Sequence, residues 1–247
     1  MAEKKLKTAI VTGSTQGIGL AIAHGLAGAR FRVGINGRNN SRVEEICSSN
    51  DIFFNATSDA NDIDSLRAVE THVVEMYDYL DLLVCNIGGG KPNPNLTPEE
   101  EWERVFKLNL YASMNTASIF SRILIPGTGK IIFISSIAGH PNVDAPIAYG
   151  AAKVALNDFS KQLARDLAPQ GICVNTLLLG NMMFKGSTWE EKMSKQPEQM
   201  REYIKQKVPL NTFGSTEEVS RWCVFLSGDE IKFTTGALIP IDGGQIL

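Results

Sequence analysis

The sequence is poor in the residues that build metal centres and disulfide frameworks. It has four cysteines and three histidines in 247 residues. Cys47, Cys85, Cys173 and Cys223 are far apart and form no C-x-x-C pair. His24, His72 and His140 share no ligand spacing. No metal site and no disulfide scaffold is therefore expected. Charge of one sign is also missing: 24 Lys and Arg against 27 Asp and Glu leave a net charge of −3. That removes any global pull towards nucleic acid or an anionic membrane. No apolar run approaches the roughly 20 residues of a membrane helix. The charged stretch Met1–Lys7 does not read as a signal peptide. The expected setting is a reducing cytoplasm, with neither nucleic acid nor membrane as partner.

What is present is a rhythm. Short apolar runs fall at Thr8–Val11, Arg32–Ile35, Ile52–Asn55, Leu82–Val84, Lys130–Ser135, Cys173–Leu178 and Ala237–Ile241. They are continuous rather than alternating, as parallel strands covered on both faces are. Helical stretches fill the gaps: Ile18–Ala27, Asp62 to about Tyr77, and Ala148–Leu167, which stops before Pro169 and Gly171. Thr97-Pro98-Glu99-Glu100 reads as a helix start with Thr97 as N-cap, and Ser215-Thr216-Glu217-Glu218 repeats the capping-box pattern. The β-α-β-α order predicts an α/β fold with a doubly wound parallel sheet of about seven strands. One segment, Asn181 to Gly214, breaks the rhythm with Met182, Met183, Phe184, Trp189, Met193 and Met200 among six Lys or Arg. It reads as a surface helix pair or as a substrate lid, since ligands of open α/β sheets sit beyond the carboxyl ends of the strands.

The first strand runs into Thr12-Gly13-Ser14-Thr15-Gln16-Gly17-Ile18-Gly19. Glycines here permit a tight turn and close backbone approach to a pyrophosphate, and the following helix offers free N–H groups. Its position after an N-terminal strand points to a Rossmann-type dinucleotide site. No Gly-Lys-Ser/Thr ending follows, which disfavours an ATP-binding loop. The second strand ends at Ile35-Asn36-Gly37-Arg38. No carboxylate is there to accept a ribose 2′-hydroxyl, whereas Arg38 suits a 2′-phosphate, so NADP is preferred and NAD remains possible.

Tyr149 and Lys153 lie one turn apart on the long helix, hence on one face. An ammonium there would favour the phenolate and make the pair an acid or base near neutral pH. Tyr203 and Lys207 share the spacing. Context separates them: thirteen residues before Tyr149 is Ser136, at a strand end, while thirteen before Tyr203 is Glu190 in the irregular segment. Tyr203/Lys207 is therefore read as a solvated helix face.

With these motifs in order, the sequence resembles the classical short-chain dehydrogenase/reductase family over nearly its whole length. Thr12–Gly19 matches the family's T-G-x-x-x-G-x-G loop, with Gly13, Ser14, Gln16, Gly17, Ile18 and Gly19 as cofactor contacts. Asp59 matches the acid that meets adenine. Cys85-Asn86-Ile87-Gly88 stands where the family has N-N-A-G, placing Asn86 and Gly88 beside the cofactor. Asn109, Ser136, Tyr149 and Lys153 match the catalytic tetrad, and Asp242-Gly243-Gly244 the C-terminal signature. The resemblance implies one domain over residues 1–247 that interconverts a ketone and a secondary alcohol with NADP. Ser136 would hold the carbonyl, Tyr149 move the proton, Lys153 hold the nicotinamide ribose, and Asn109 a relay water. Ile87 departs from the usual small alanine, with Gly88, Gly89 and Gly90 beside it to give room. Leu179 and Phe184 replace the proline and threonine that flank Gly180, leaving Asn181 to replace the lost carboxamide contact.

The overall pattern is similar to 3-oxoacyl-[acyl carrier protein] reductases. Their acidic partner would need a basic patch, to which Arg122 and Lys130 are the candidates; Gln170 and the net charge keep it thin. The alternative substrates are a sugar, a polyol or a sugar nucleotide, with Trp189 to stack on a ring; Trp189 equally serves to pack the lid. A non-catalytic nicotinamide-binding regulator is a third reading, opposed by the intact tetrad. An enoyl reductase is disfavoured because those relatives separate Tyr and Lys more widely. The resemblance also implies a homo-oligomer, tetramer or dimer, formed through helices of Thr97–Leu124 and Ala148–Leu167.

Overall fold

The computed structural model describes residues 6–89, 98–140 and 143–247. Seven parallel strands form one sheet: β1 Lys7–Val11, β2 Phe31–Ile35, β3 Phe53–Asn55, β4 Leu82–Cys85, β5 Lys130–Ser136, β6 Cys173–Leu179 and β7 Leu238–Ile241. Their spatial order is 3-2-1-4-5-6-7. All seven agree with the apolar runs to within a residue at either end. The order reverses between β1 and β4, so the crevice beyond their carboxyl ends is the topological switch point.

Alternate strand residues feed two cores. Ala9, Val11, Val33, Ile35 and Val84 face α1 (Gly17–Gly28), α2 (Asn40–Cys47) and α9 (Thr216–Leu226). Ile10, Phe54, Leu83, Ile131 and Phe133 face α3 (Ile63–Tyr77), α5 (Ala112–Phe120) and α6 (Ile147–Leu167). Both faces are buried, which is why the strands read as unbroken apolar runs.

The capping signals operate as expected where they are described. Asp62 accepts hydrogen bonds from the backbone of Asp64 and Ser65, and Ser215 from Glu218. Thr97 lies outside the described residues; α4 (Glu99–Phe106) begins after Pro98. The short helix α2 carries no strong pattern in the sequence. Its polar Asn39-Asn40-Ser41 start resembles a turn, and it forms because Asn39 caps it and Val43 and Ile46 are buried. The irregular segment folds as α7 (Thr188–Lys195) and α8 (Pro197–Lys207). Among the described residues no helix is long and apolar enough to cross a membrane, and no cluster of ligating side chains could hold a metal.

Candidate active site

The glycine loop is fastened from both sides. The Thr12 hydroxyl donates to the Val84 carbonyl (3.3 Å) and accepts from the Asn86 backbone (2.9 Å). The Asn86 side-chain amide donates to the carbonyls of Thr12 (3.0 Å) and Gly13 (3.2 Å). Gly13 and Gly17 have φ of +61° and +54°, the left-handed region that favours glycine. Gly19 is required by space instead: a Cβ there would fall 2.3 Å from the Gly13 carbonyl oxygen. Helix α1 has no side-chain cap and no acid in its first turn, so its leading N–H groups are left for an anion.

Asn36 does something the sequence did not suggest. Its carboxamide accepts from the Gly13 backbone (3.1 Å) and donates to Ala56 (2.9 Å) and the Ser58 hydroxyl (2.8 Å). It therefore ties the loop to the ends of β2 and β3. Arg38, two residues on, is exposed and makes no ion pair among the described residues. It lines a cavity of about 420 Å³ with Gly13, Thr15, Asp59 and Ile87. Asp59 is held in place by turn bonds to Asn61 and Ser65.

A second cavity, of about 320 Å³, runs from Gly17 past Asn86 and Gly88 to Ser136, Tyr149 and Lys153. A third, of about 820 Å³, opens beside it. Ser136 and Tyr149 line both; Lys153 lines only the smaller. Ser136 ends β5, accepts from the Ala138 backbone (3.1 Å) and bonds the Leu179 carbonyl (3.3 Å). The Tyr149 phenol faces the same hydroxyl, which favours the phenolate.

The electrostatics differ from the expectation for a Tyr/Lys pair. Burial raises the Tyr149 pKa above its ordinary value, and the Ser136 hydrogen bond offsets that only in part. Lys153 is committed to the backbone rather than to the phenol. Its ammonium is 5.7 Å from the Tyr149 ring centroid, donates to the Ile134 carbonyl (3.3 Å), and is pushed down to about 8 by burial. Without a cofactor, Tyr149 is thus held as a neutral proton donor, the form that carbonyl reduction uses.

Asn109 is fully buried in a π-helical turn, Lys107–Tyr111, a widening that often marks functional sites. Its carboxamide accepts from the Gly89 backbone (2.7 Å) and donates to the carbonyls of Gly89 (3.1 Å) and Val105 (3.0 Å). Asn109 and Lys153 meet at Gly88, where a Cβ would lie 3.2 Å and 3.1 Å from their polar atoms. The Asn109 side chain is thereby occupied in holding the Gly88–Gly89 turn. Gly90 lies outside the described residues.

At the end of β6, Gly180 donates to the Ile241 carbonyl (2.9 Å), and a Cβ on it would sit 2.7 Å from Asp242 Cα. Asp242 in turn accepts from Gly244 and Ile246. The C-terminal signature is a packing device under the site. The Asn181 backbone donates to Gln245 (2.9 Å), while its side-chain Nδ2 is buried without a partner among the described residues. Phe184 lays its ring over Gly17: a Cβ there would be 2.7 Å from it. The loop glycines, the uncommitted Arg38 and the orphaned Asn181 amide together fit a nicotinamide dinucleotide phosphate.

Two expectations need correction. Lys130 is buried at the amino end of β5 and donates to the Gly228 carbonyl, and Arg122 precedes the same end of the sheet. Both lie towards the amino ends of the strands, opposite the carboxyl ends that carry the site, so neither is at its mouth. Tyr203 is not on a solvated face. It stacks on Trp189 (5.1 Å, 29°) and lines the large cavity. Trp189 also packs on Phe213 (5.6 Å) and lines both cavities, so it serves packing and site at once.

The glycine loop and the Ser136, Tyr149 and Lys153 side chains thus meet on one cavity at the switch point. A family model described as "Enoyl-(Acyl carrier protein) reductase" matches residues 13–245. The chain belongs to this family of short-chain dehydrogenase/reductases and is an oxidoreductase. It is 30% identical to the 3-oxoacyl-[acyl-carrier-protein] reductase FabG of Staphylococcus aureus, over 99% of this chain and all of that one. Among solved structures it is similar to the Pseudomonas aeruginosa RhlG/NADP active-site complex (TM-score 0.86, 28% identity, 98% and 96% of the two chains). It is also similar to a gluconate 5-dehydrogenase from Burkholderia cenocepacia in complex with NADP and tartrate (TM-score 0.88, 26% identity, 97% and 94%).

Proposed function

We propose that the protein is an NADP-dependent reductase of a ketone, of the 3-oxoacyl thioester kind, acting through Ser136, Tyr149, Lys153 and Asn109. One observation carries this: Ser136 and Tyr149 stand on the shared wall of the two cavities, and Lys153 on the cofactor side alone. The cofactor, when bound, supplies the hydride. Ser136 turns its proton from Leu179 to the substrate carbonyl and fixes its orientation. Tyr149 donates the proton that the developing alkoxide needs. Lys153 would hold the ribose, and Asn109 acts beside it by holding the Gly88–Gly89 turn. Gly13 to Gly19, Asn86 and Gly88 cradle the phosphates, Asp59 meets adenine, Arg38 takes the 2′-phosphate, and Gly180 with Asn181 meets the carboxamide.

The large cavity favours an acyl chain over a polyol. Ile137, Val143, Pro146, Leu179 and Met200 line it, and apolar walls do not satisfy a chain of hydroxyls. The one-turn spacing of Tyr149 and Lys153 favours ketone over enoyl reduction. Residues 181–214 act as the lid, α7 and α8 giving the cavity one wall. Replacing Tyr149 with Phe should lower turnover of a 3-oxoacyl thioester by at least about a hundredfold while NADPH still quenches protein fluorescence with unchanged affinity. Retained turnover would remove Tyr149 from the mechanism.

A further inference from the structure

Helix α7 brings two lysines to the wall of the large cavity, Lys192 and Lys195. They are not equivalent. Lys195 is paired with the Glu191 carboxylate at 2.9 Å, one turn back, so these two charges largely cancel. The Lys192 ammonium lies 4.6 Å over the Trp189 ring and makes no ion pair among the described residues. Trp189 is itself fixed from behind, by Tyr203 at 5.1 Å and Phe213 at 5.6 Å. A cation held over a supported indole has lost part of its conformational freedom before any ligand arrives. Asp144, on the loop before α6, lines the same cavity and is exposed. It repels an anion from that side and leaves α7 as the wall where one is accepted. Between these charges the walls are apolar: Ile137, Val143, Leu179 and Met200.

We propose that the substrate carries an anionic group, carboxylate or phosphate, on an extended apolar body, and that Lys192 reads that group. The inference rests on the reading of Ser136 and Tyr149 as the carbonyl-reducing pair and adds what the rest of the substrate must contain. It assigns Lys192 to specificity, remote from the reacting carbonyl. Binding at this distance acts through KM, because the contact is equal in the ground and transition states.

The test compares ketones matched in body and different in charge. One pair is a 3-oxoacyl chain as its neutral N-acetylcysteamine thioester and as its coenzyme A thioester, which adds phosphates. The other is a long methyl ketone with a terminal carboxylate and its methyl ester. NADPH oxidation is followed for wild type, Lys192→Gln and Lys192→Arg. The expected result is a kcat/KM about tenfold higher for the anionic member of at least one pair, the size of a charge-assisted contact. The preference should lie in KM and fall as salt is raised. Lys192→Gln should bring the ratio towards one, and Lys192→Arg should keep most of it. The pair that shows the effect tells phosphate from carboxylate. A ratio of one in wild type for both pairs, or a ratio untouched by Lys192→Gln, overturns the proposal while leaving ketone reduction standing. Failure to reduce any of the four, by protein shown to bind NADPH, overturns both.

Discussion

Lys153 is 3% exposed and has no carboxylate partner among the described residues, so the site carries an ammonium at a cost in stability. Its pKa falls from an ordinary 10.5 to about 8 through burial alone. At about 1.4 kcal/mol per pH unit, that amounts to roughly 3 kcal/mol of destabilisation at neutral pH. Replacing Lys153 with Met keeps the length and removes the charge. The variant gives up the bond to the Ile134 carbonyl, worth about 1 kcal/mol. The net gain is about 2 kcal/mol, and a chain of this size moves its Tm by about 2–4 °C per kcal/mol. The inactive variant should therefore melt roughly 4–8 °C above the wild type at pH 7. The sign of the pH dependence is fixed. Below pH 8 the lysine is charged in both states and the whole penalty is present. Between about 8 and 10.5 the folded lysine is neutral while the unfolded one is still charged, so the unfolded state binds more protons. The wild type then gains stability with rising pH, and the gap closes. Scanning calorimetry of both proteins without cofactor, from pH 6.5 to 10.5 at one protein concentration, measures it. A gap that is absent at pH 7, or that widens with pH, would refute burial as the cause.

Two further outcomes are expected. Arg38→Ala should weaken NADPH about tenfold or more while leaving NADH nearly unaffected, since only one of the two carries the 2′-phosphate; equal loss of both in fluorescence titration would reject Arg38 as the selector. Ile147 and Val154, 50% and 49% exposed and seven residues apart on α6, with Tyr111 (44%) at the end of the π-helical turn, leave apolar surface that suits a second copy of the chain. Light scattering should give the mass of a dimer or tetramer, and a monomeric mass would leave that surface unexplained.

The strands were legible because burial on both faces leaves an unbroken apolar run, and the end of each run marks where the chain must turn. The convergence of Ser136, Tyr149 and Lys153 on one cavity was legible because they sit at fixed offsets from those ends: Ser136 closes β5, and Tyr149 and Lys153 share one helix face. Short polar α2 was not, since only Asn39 capping and two buried side chains define it. Nor was the role of Asn36, whose partners Gly13, Ala56 and Ser58 lie on three different segments.

The sparse cysteine, the scattered histidine and the balanced charge turned the reading away from metal centres, disulfide frameworks and nucleic acid before any motif was considered. Local pattern determined the sheet and singled out the glycine loop and the Ser136, Tyr149, Lys153 and Asn109 candidates, because hydrophobic period and motif spacing are properties of neighbouring residues. Three matters were decided only by tertiary structure. Lys130 is buried at the amino end of β5, away from the site, Tyr203 lies against Trp189 instead of water, and Lys192 is left over that indole with no ion pair among the described residues. Each depends on which distant side chains meet, and so on burial and pairing that no spacing along the chain records.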